Sequence, residues 1–202
     1  MEARIIAELH RDDVASVVDD YINDAINHYS RFRFWFNETS ATQNTVAGTA
    51  TYSWPATFVA LDSLTITVNS RIYPLRQVSP AEIDEMYSSA TETGHPTVFA
   101  MYAQQFRLYP TPDAIYTLTQ YFLKTVTALT TGSASSNIWT NEGEELIRTR
   151  AKKNLIAHFI PTSADTMQNL AVLEQHERDI FNGLKRQTVA STATGRARSW
   201  AV

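Results

Sequence analysis

At 202 residues, with 44% hydrophobic and 19% charged side chains, the chain has the composition of a globular protein with room for a sizeable core, not of a disordered polypeptide. A formal net charge of −4 excludes a duplex-DNA binder of the uniformly basic kind. The absence of cysteine removes disulfides, thiolate nucleophiles and cysteine-held zinc or iron–sulfur centres, and fits a protein made and used in a reducing compartment.

Residues 1–10 carry Glu2, Arg4 and Glu8 among their apolar side chains, so the start lacks the unbroken apolar run of a signal peptide. No stretch approaches the ~20 apolar residues of a membrane span, and the expectation is a soluble protein without a cleaved signal. Ile5, Ile6 and Leu9 mark a first short helix. Asp12 or Asp13 is placed to cap a second, in which Val14, Val18, Tyr21, Ala25, Ile26 and Tyr29 recur at steps of three and four. That single apolar stripe needs a partner surface.

The aromatic run Phe32, Phe34, Trp35 and Phe36 ends the helical zone, and the period then changes to two. Leu64-Thr65-Ile66-Thr67-Val68 alternates as a half-buried strand does. Residues 98–102 and 106–109 flank Ala103-Gln104-Gln105 and read as a hairpin, and residues 115–126 read as a long strand. Pro55, Pro74, Pro80, Pro96, Pro110 and Pro112 punctuate this zone near strand ends, where a missing amide is tolerated. One short helix, 80–88, opens with the capping pattern Ser79-Pro80-Ala81-Glu82. Residues 130–137 form a loop by composition.

Helix periodicity returns with Leu146, Ile147, Ala151, Leu155 and Phe159. Pro161 breaks this stripe, Thr162 or Ser163 can cap the next helix, and its apolar line runs Leu170, Leu173, Ile180, Leu184, interrupted by Glu177. No one-faced helix is stable alone. The expected fold is therefore α+β: a helical core built from residues 1–33 and 138–186, a mainly antiparallel β-rich insertion at 34–137, and an extended C-terminal tail at 187–202.

The inventory for chemistry is thin. His10, His28, His95, His158 and His176 show no i, i+2 or i, i+4 pairing that would hold a metal, the six glycines form no phosphate loop, and no serine sits in a Gly-x-Ser-x-Gly turn. Asp12-Asp13 and Asp19-Asp20 point about 100° apart if helical, and Glu142, Glu144 and Glu145 suit a helix start. Arg148, Arg150, Lys152 and Lys153 read as a solvated helix face, with a partner or phosphate contact as the other reading. The expectation is no enzyme, no cofactor and no metal. From 185 onward the charged residues are Lys185, Arg186, Arg196 and Arg198, with no acid among them, and Trp200 lies near the end. Arginine and tryptophan are typical interface anchors, although a frayed terminus would also account for them.

Over roughly residues 1–186, and not in the tail beyond, the sequence resembles the head-to-tail adaptors of tailed phages, also called connectors or tail accessory factors. The resemblance rests on Arg4, Ile5, Glu8, Leu9, Arg11, Asp13, Ala25, Ile26, Arg33, Phe34, Phe36 and Glu38 at the start. It continues in Gly94-His95-Pro96, in Phe106-Arg107-Leu108-Tyr109-Pro110-Thr111-Pro112-Asp113, in Leu118-Thr119-Gln120-Tyr121-Phe122-Leu123-Lys124, and in Asn137-Ile138-Trp139. The segment Trp54-Pro55-Ala56-Thr57-Phe58 departs from the Leu-Pro-x-Asp-Phe of such proteins. The resemblance implies a structural virion protein of the neck, assembled in the host cytoplasm as a homo-oligomer, a dodecameric ring. Its partners would be the portal protein above and tail or nozzle proteins below, with DNA passing through the bore unread. The C-terminal segment would reach the portal, which makes Lys185, Arg186, Arg196, Arg198 and Trp200 the candidate portal contacts. A tail-tube or baseplate component, or a cell-wall hydrolase working through carboxylates of the helical zones, is the alternative function.

Overall fold

The computed structural model describes residues 1–87, 92–126, 137–161 and 163–198. The fold is α+β, as the change of period along the sequence implies, and the chain divides into two compact units. One comprises residues 1–37 with 125–202, the other residues 38–124.

The helical unit begins with α1 (Glu2–Leu9) and α2 (Val18–Tyr29). The step of three and four in α2 buries Val18, Ile22, Ala25, Ile26 and Tyr29. Neither aspartate caps it. Asp12 and Asp13 lie in a separate 3-10 turn, and Asp13 instead holds Arg11 through two bonds of 2.6 Å. After the β unit come α4 (Ile138–Glu142) and α5 (Glu144–Phe159). Asn137 caps α4, accepting from the amides of Trp139 and Thr140, while the Thr140 hydroxyl accepts from the Asn137 amide. Ser163 then caps α6 (Ala164–Arg198), accepting from the Thr166 amide at 3.1 Å.

Ile5, Val18, Ile22, Ala25, Ile26, Leu146, Ile147, Ala151 and Leu155 form one core with Phe34, Phe36 and Trp139. The stripe read in α5 is the buried one, except that Phe159 at its end is 41% exposed. Trp139 is fully buried, with Phe34 and Phe36 meeting it edge-on at 5.4 and 4.8 Å. Gly143 sits against the same ring: a Cβ there would lie 2.7 Å from Trp139 Cε3, inside contact distance. Gly143→Ala is therefore expected to destabilise the helical unit by about 1–3 kcal/mol, because the fully enclosed indole must shift to make room. Urea unfolding followed by the helical circular dichroism signal measures it.

The second unit holds two four-stranded sheets. One runs β1 (Glu38–Asn44), β10 (Thr117–Lys124), β3 (Phe58–Val68), β4 (Arg71–Pro74) in spatial order, with every neighbouring pair antiparallel. The other runs β2 (Thr51–Ser53), β8 (Gln105–Tyr109), β7 (Val98–Tyr102), β5 (Arg76–Val78), in which only β5–β7 is parallel. A two-stranded parallel pair, β6 (Thr93–Gly94) with β9 (Thr111–Pro112), completes the strands. The hairpin read at 98–109 is present. Its turn is two residues rather than three, with Ala103 and Gln104 at φ 48° and 62°, the geometry that matches the twist of the flanking strands. Alternation in β3 sends Leu64 and Ile66 into a core with Leu118, Phe99, Phe106, Leu108, Tyr52 and Trp54, so the two sheets share one apolar interior. Ser79 caps α3 (Pro80–Tyr87), accepting from the Glu82 amide. Most of the loop read at 130–137 lies outside the described residues.

The extended tail expected from 187 is corrected. The backbone of α6 continues as helix through Arg198, thirty-five residues in all. Residues 188–195 carry no apolar stripe, yet two hydroxyls among them turn inward on the helix itself: Thr188 Oγ1 donates to the Leu184 carbonyl at 2.9 Å and Ser191 Oγ to the Thr188 carbonyl at 2.8 Å.

Candidate assembly interface

The helical unit places its charged residues in two sets with different roles. The first is centred on Glu177, the residue that interrupts the apolar line of α6. It lies within that line because it is buried, 6% exposed, and three groups converge on its carboxylate. Arg150 donates at 2.8 Å, and Lys153 of α5 and the Tyr29 hydroxyl of α2 donate to it as well. Burial alone would raise the Glu177 pKa, but the hydrogen bonds from Lys153, Tyr29 and Arg150 outweigh it and hold the carboxyl below the ordinary glutamate range. The same burial and the adjacent carboxylate push the Tyr29 phenol upward, so it stays a donor.

The basic run of α5 is consequently not the solvated face read from sequence. Arg148 and Lys152 both bind Glu8 of α1, at 2.5 and 2.6 Å, while Arg150 and Lys153 bind Glu177. These four side chains are only 16–23% exposed and tie α5 to α1 and α6. The carboxylates at the start of α5 are likewise engaged, Glu144 with Arg4 at 3.0 Å and Glu145 with His176 at 3.1 Å. His158 meets the Tyr21 hydroxyl at 2.9 Å, and His28 packs between Tyr29 and Phe32, where burial, then the nearby Arg150, lowers its pKa.

The second set is the end of α6, which carries the residues read as portal contacts. Ile180, Phe181 and Leu184 are the last apolar side chains of α6 packed on the helical core, Phe181 lying edge-on to Phe32 at 5.1 Å. Lys185 follows, exposed, with its ammonium 5.0 Å from the Phe181 ring and 5.5 Å from that of Phe32. Arg186 is exposed beside it, and Val189, 67% exposed, adds an apolar patch one turn on. Position 196 lies eleven residues beyond 185, which brings it round to within about 20° of the same side of the helix. Arg196 and Arg198 are thus on the helical backbone, and Trp200 lies outside the described residues. Lys185, Arg186, Arg196 and Arg198 load the C-terminal end with positive charge, the sense that the helix dipole favours.

Sequence reasoning missed the Glu177 cluster, although its signal was visible: a lone carboxylate in an apolar line, with two cations three residues apart on the preceding helix. Among the described residues there is no group of three or more metal-ligating side chains, and no helix is long and apolar enough to cross a membrane. A family model described as SU10 adaptor protein matches residues 1–199, nearly the entire chain. No curated protein matches it.

Proposed function

The chain belongs to the SU10 adaptor protein family, which makes it a structural adaptor of a phage particle, and from that premise we propose that it forms the ring joining the portal to the tail. The family match over residues 1–199 is the observation that carries this reading. A family of adaptors works by presenting surfaces to other virion proteins, and the end of α6 is such a surface. It is basic, carries an exposed valine, and extends past the last residues that pack on the helical core.

In this reading a homo-oligomeric ring, twelve-fold as in the adaptors it resembles, sits beneath the portal. The helical segment 185–198 and Trp200 make the portal contact, tail or nozzle proteins bind the opposite side, and DNA crosses the bore without sequence-specific contacts. The role is architectural, with no reaction and no cofactor. An arm that orders only on docking would delay assembly until the portal is present, but residues 187–198 are already helical in the single chain, so for them docking recovers little ordering entropy.

A version ending at Gln187 tests the contact. Mixed with purified portal rings and imaged by electron microscopy, the full chain is expected to add a second ring and the shortened chain to lose it. Undiminished docking by the shortened chain would remove residues 188–202 from the interface and leave only Lys185 and Arg186 of this end in it. Failure of the full chain to add a ring would remove the portal role.

A further inference from the structure

The sheet β1-β10-β3-β4 is open on both sides: among the described residues neither β1 nor β4 has a strand along its outer edge. Such edges display unpaired amides and carbonyls, and proteins ordinarily blunt them with charge, proline or a covering element. β4, Arg71-Ile72-Tyr73-Pro74, carries a charge and a proline at its two ends, yet between them it exposes Ile72 by 69% and Tyr73 by 45% on a strand with no outer neighbour among the described residues.

Strand direction makes the two edges complementary. Each adjacent pair in the sheet is antiparallel, so across four strands β1 and β4 run in opposite directions. Laying β4 of one copy beside β1 of a second copy in the same orientation continues the antiparallel alternation without interruption, and each addition regenerates the same free edge. That is a heterologous, head-to-tail contact, the kind that closes into a ring.

A second feature lies at the β1 edge. A cleft of about 260 Å³ opens there, with Ala41, Thr42, Gln43, Trp54 and Gln120 among its lining residues. Gln120 of β10 is 1% exposed; its Nε2 donates to Gln43 Oε1 at 3.0 Å, but its Oε1 receives no donor among the described residues. A buried amide oxygen without a donor is a standing cost that an incoming hydroxyl removes. The β1 residue paired with Gln120 is Ala41, whose methyl leaves the edge side open. Tyr73 pairs with the buried Ile66, so it belongs to the core-facing side of β4, the side on which Gln120 lies, and its hydroxyl has no hydrogen bond among the described residues.

We propose that β4 of one subunit adds to β1 of the next, with Tyr73 entering the cleft and its phenol donating to the Gln120 amide. The occupant of the edge is a second copy of this chain, because one copy carries both complementary edges at opposite ends of one sheet. This deepens the ring reading above and rests on it.

The cysteine-free chain allows a direct test in the full-length protein. Ile72→Cys is combined with Thr42→Cys or, in a second variant, with Asn44→Cys; the three positions share the outward side of the sheet, and the two combinations sample neighbouring registers. Mild oxidation is expected to give a ladder of dimers, trimers and larger species from at least one of them, and none from the single-cysteine variants. Dimers from Ile72→Cys or Thr42→Cys alone would mean like edges pair, and would overturn the proposal. No ladder from either combination at any concentration would overturn it too. Rings seen by electron microscopy without a ladder leave the ring standing and sink only the edge pairing. A ladder from open filaments does the reverse. Tyr73→Phe, at an unchanged unfolding midpoint, is expected to lower ladder yield about fivefold, the worth of one neutral hydrogen bond. An unchanged yield removes the phenol from the contact.

Discussion

Replacing Glu177 by alanine is expected to lower the unfolding free energy by about 3 kcal/mol. The deletion removes one small side chain but strands three donors, since Tyr29, Arg150 and Lys153 all converge on its carboxylate. Breaking a buried pair from one side is far more costly than never having built it, because the remaining charges keep their desolvation and lose their compensation. Arg150 and Lys153 are each about a fifth exposed and can turn toward water, which places the effect at the lower end of the range for such deletions. Urea unfolding of wild type and variant, read by helical circular dichroism, measures the difference. A loss under about 1 kcal/mol would mean that water already screens the cluster.

The same cluster sets an acid limit. The folded Glu177 pKa is depressed relative to the unfolded chain, so its contribution is complete above the ordinary glutamate value and is lost as pH falls through the lower folded one. Wild type and Glu177→Gln should therefore differ most near neutrality, and their unfolding midpoints should converge in acid.

Trp139→Ala is expected to cost about 3–5 kcal/mol, the range for emptying a fully enclosed aromatic site. The indole joins the aromatic exit of the first helical zone, Phe34 and Phe36, to the return of the chain at α4, and Tyr29 lies 6.2 Å away on another side. Its removal therefore opens a cavity bordered by three elements that cannot all collapse into it. Trp139→Phe separates volume from polarity. The indole Nε1 is buried with no partner among the described residues, so phenylalanine gives up contact area but also discards an unsatisfied donor, and the net cost should fall to about 1–2 kcal/mol. Equal losses for the two variants would show that the indole nitrogen is satisfied after all.

What the sequence made legible follows from how strongly each segment repeats. The lines Val18-Ala25-Ile26-Tyr29 and Leu146-Ile147-Ala151-Leu155 are dense enough to locate the buried faces of α2 and α5, and alternation at 64–68 locates the buried side of β3. β1 escaped notice for the opposite reason. Glu38–Asn44 contains no large apolar residue, and it is a strand only because β10, far away in sequence, supplies its hydrogen bonds. The end of α6 was misread because Thr188, Val189, Ser191, Thr192, Thr194 and Gly195 are weak helix formers; a helix already running through Leu184 needs only propagation through them, without a fresh nucleus. Side-chain pairing across helices was the least visible level. The spacing of Arg148, Arg150, Lys152 and Lys153 gives their positions on one element but not that Glu8 and Glu177 face them from two others.

The unbroken α6 also has a mechanical consequence. From Leu184, the last apolar side chain of α6 packed on the core, to position 198 is about 21 Å of continuous helix, a stiff lever with its fulcrum in the helical core. A pivot of only about 5° at that fulcrum swings the far tip by nearly 2 Å. Small repacking around Tyr29, Arg150 and Lys153 would thus be magnified at the basic tip, and a push on the tip would be delivered, reduced in stroke and increased in force, to the centre of the subunit.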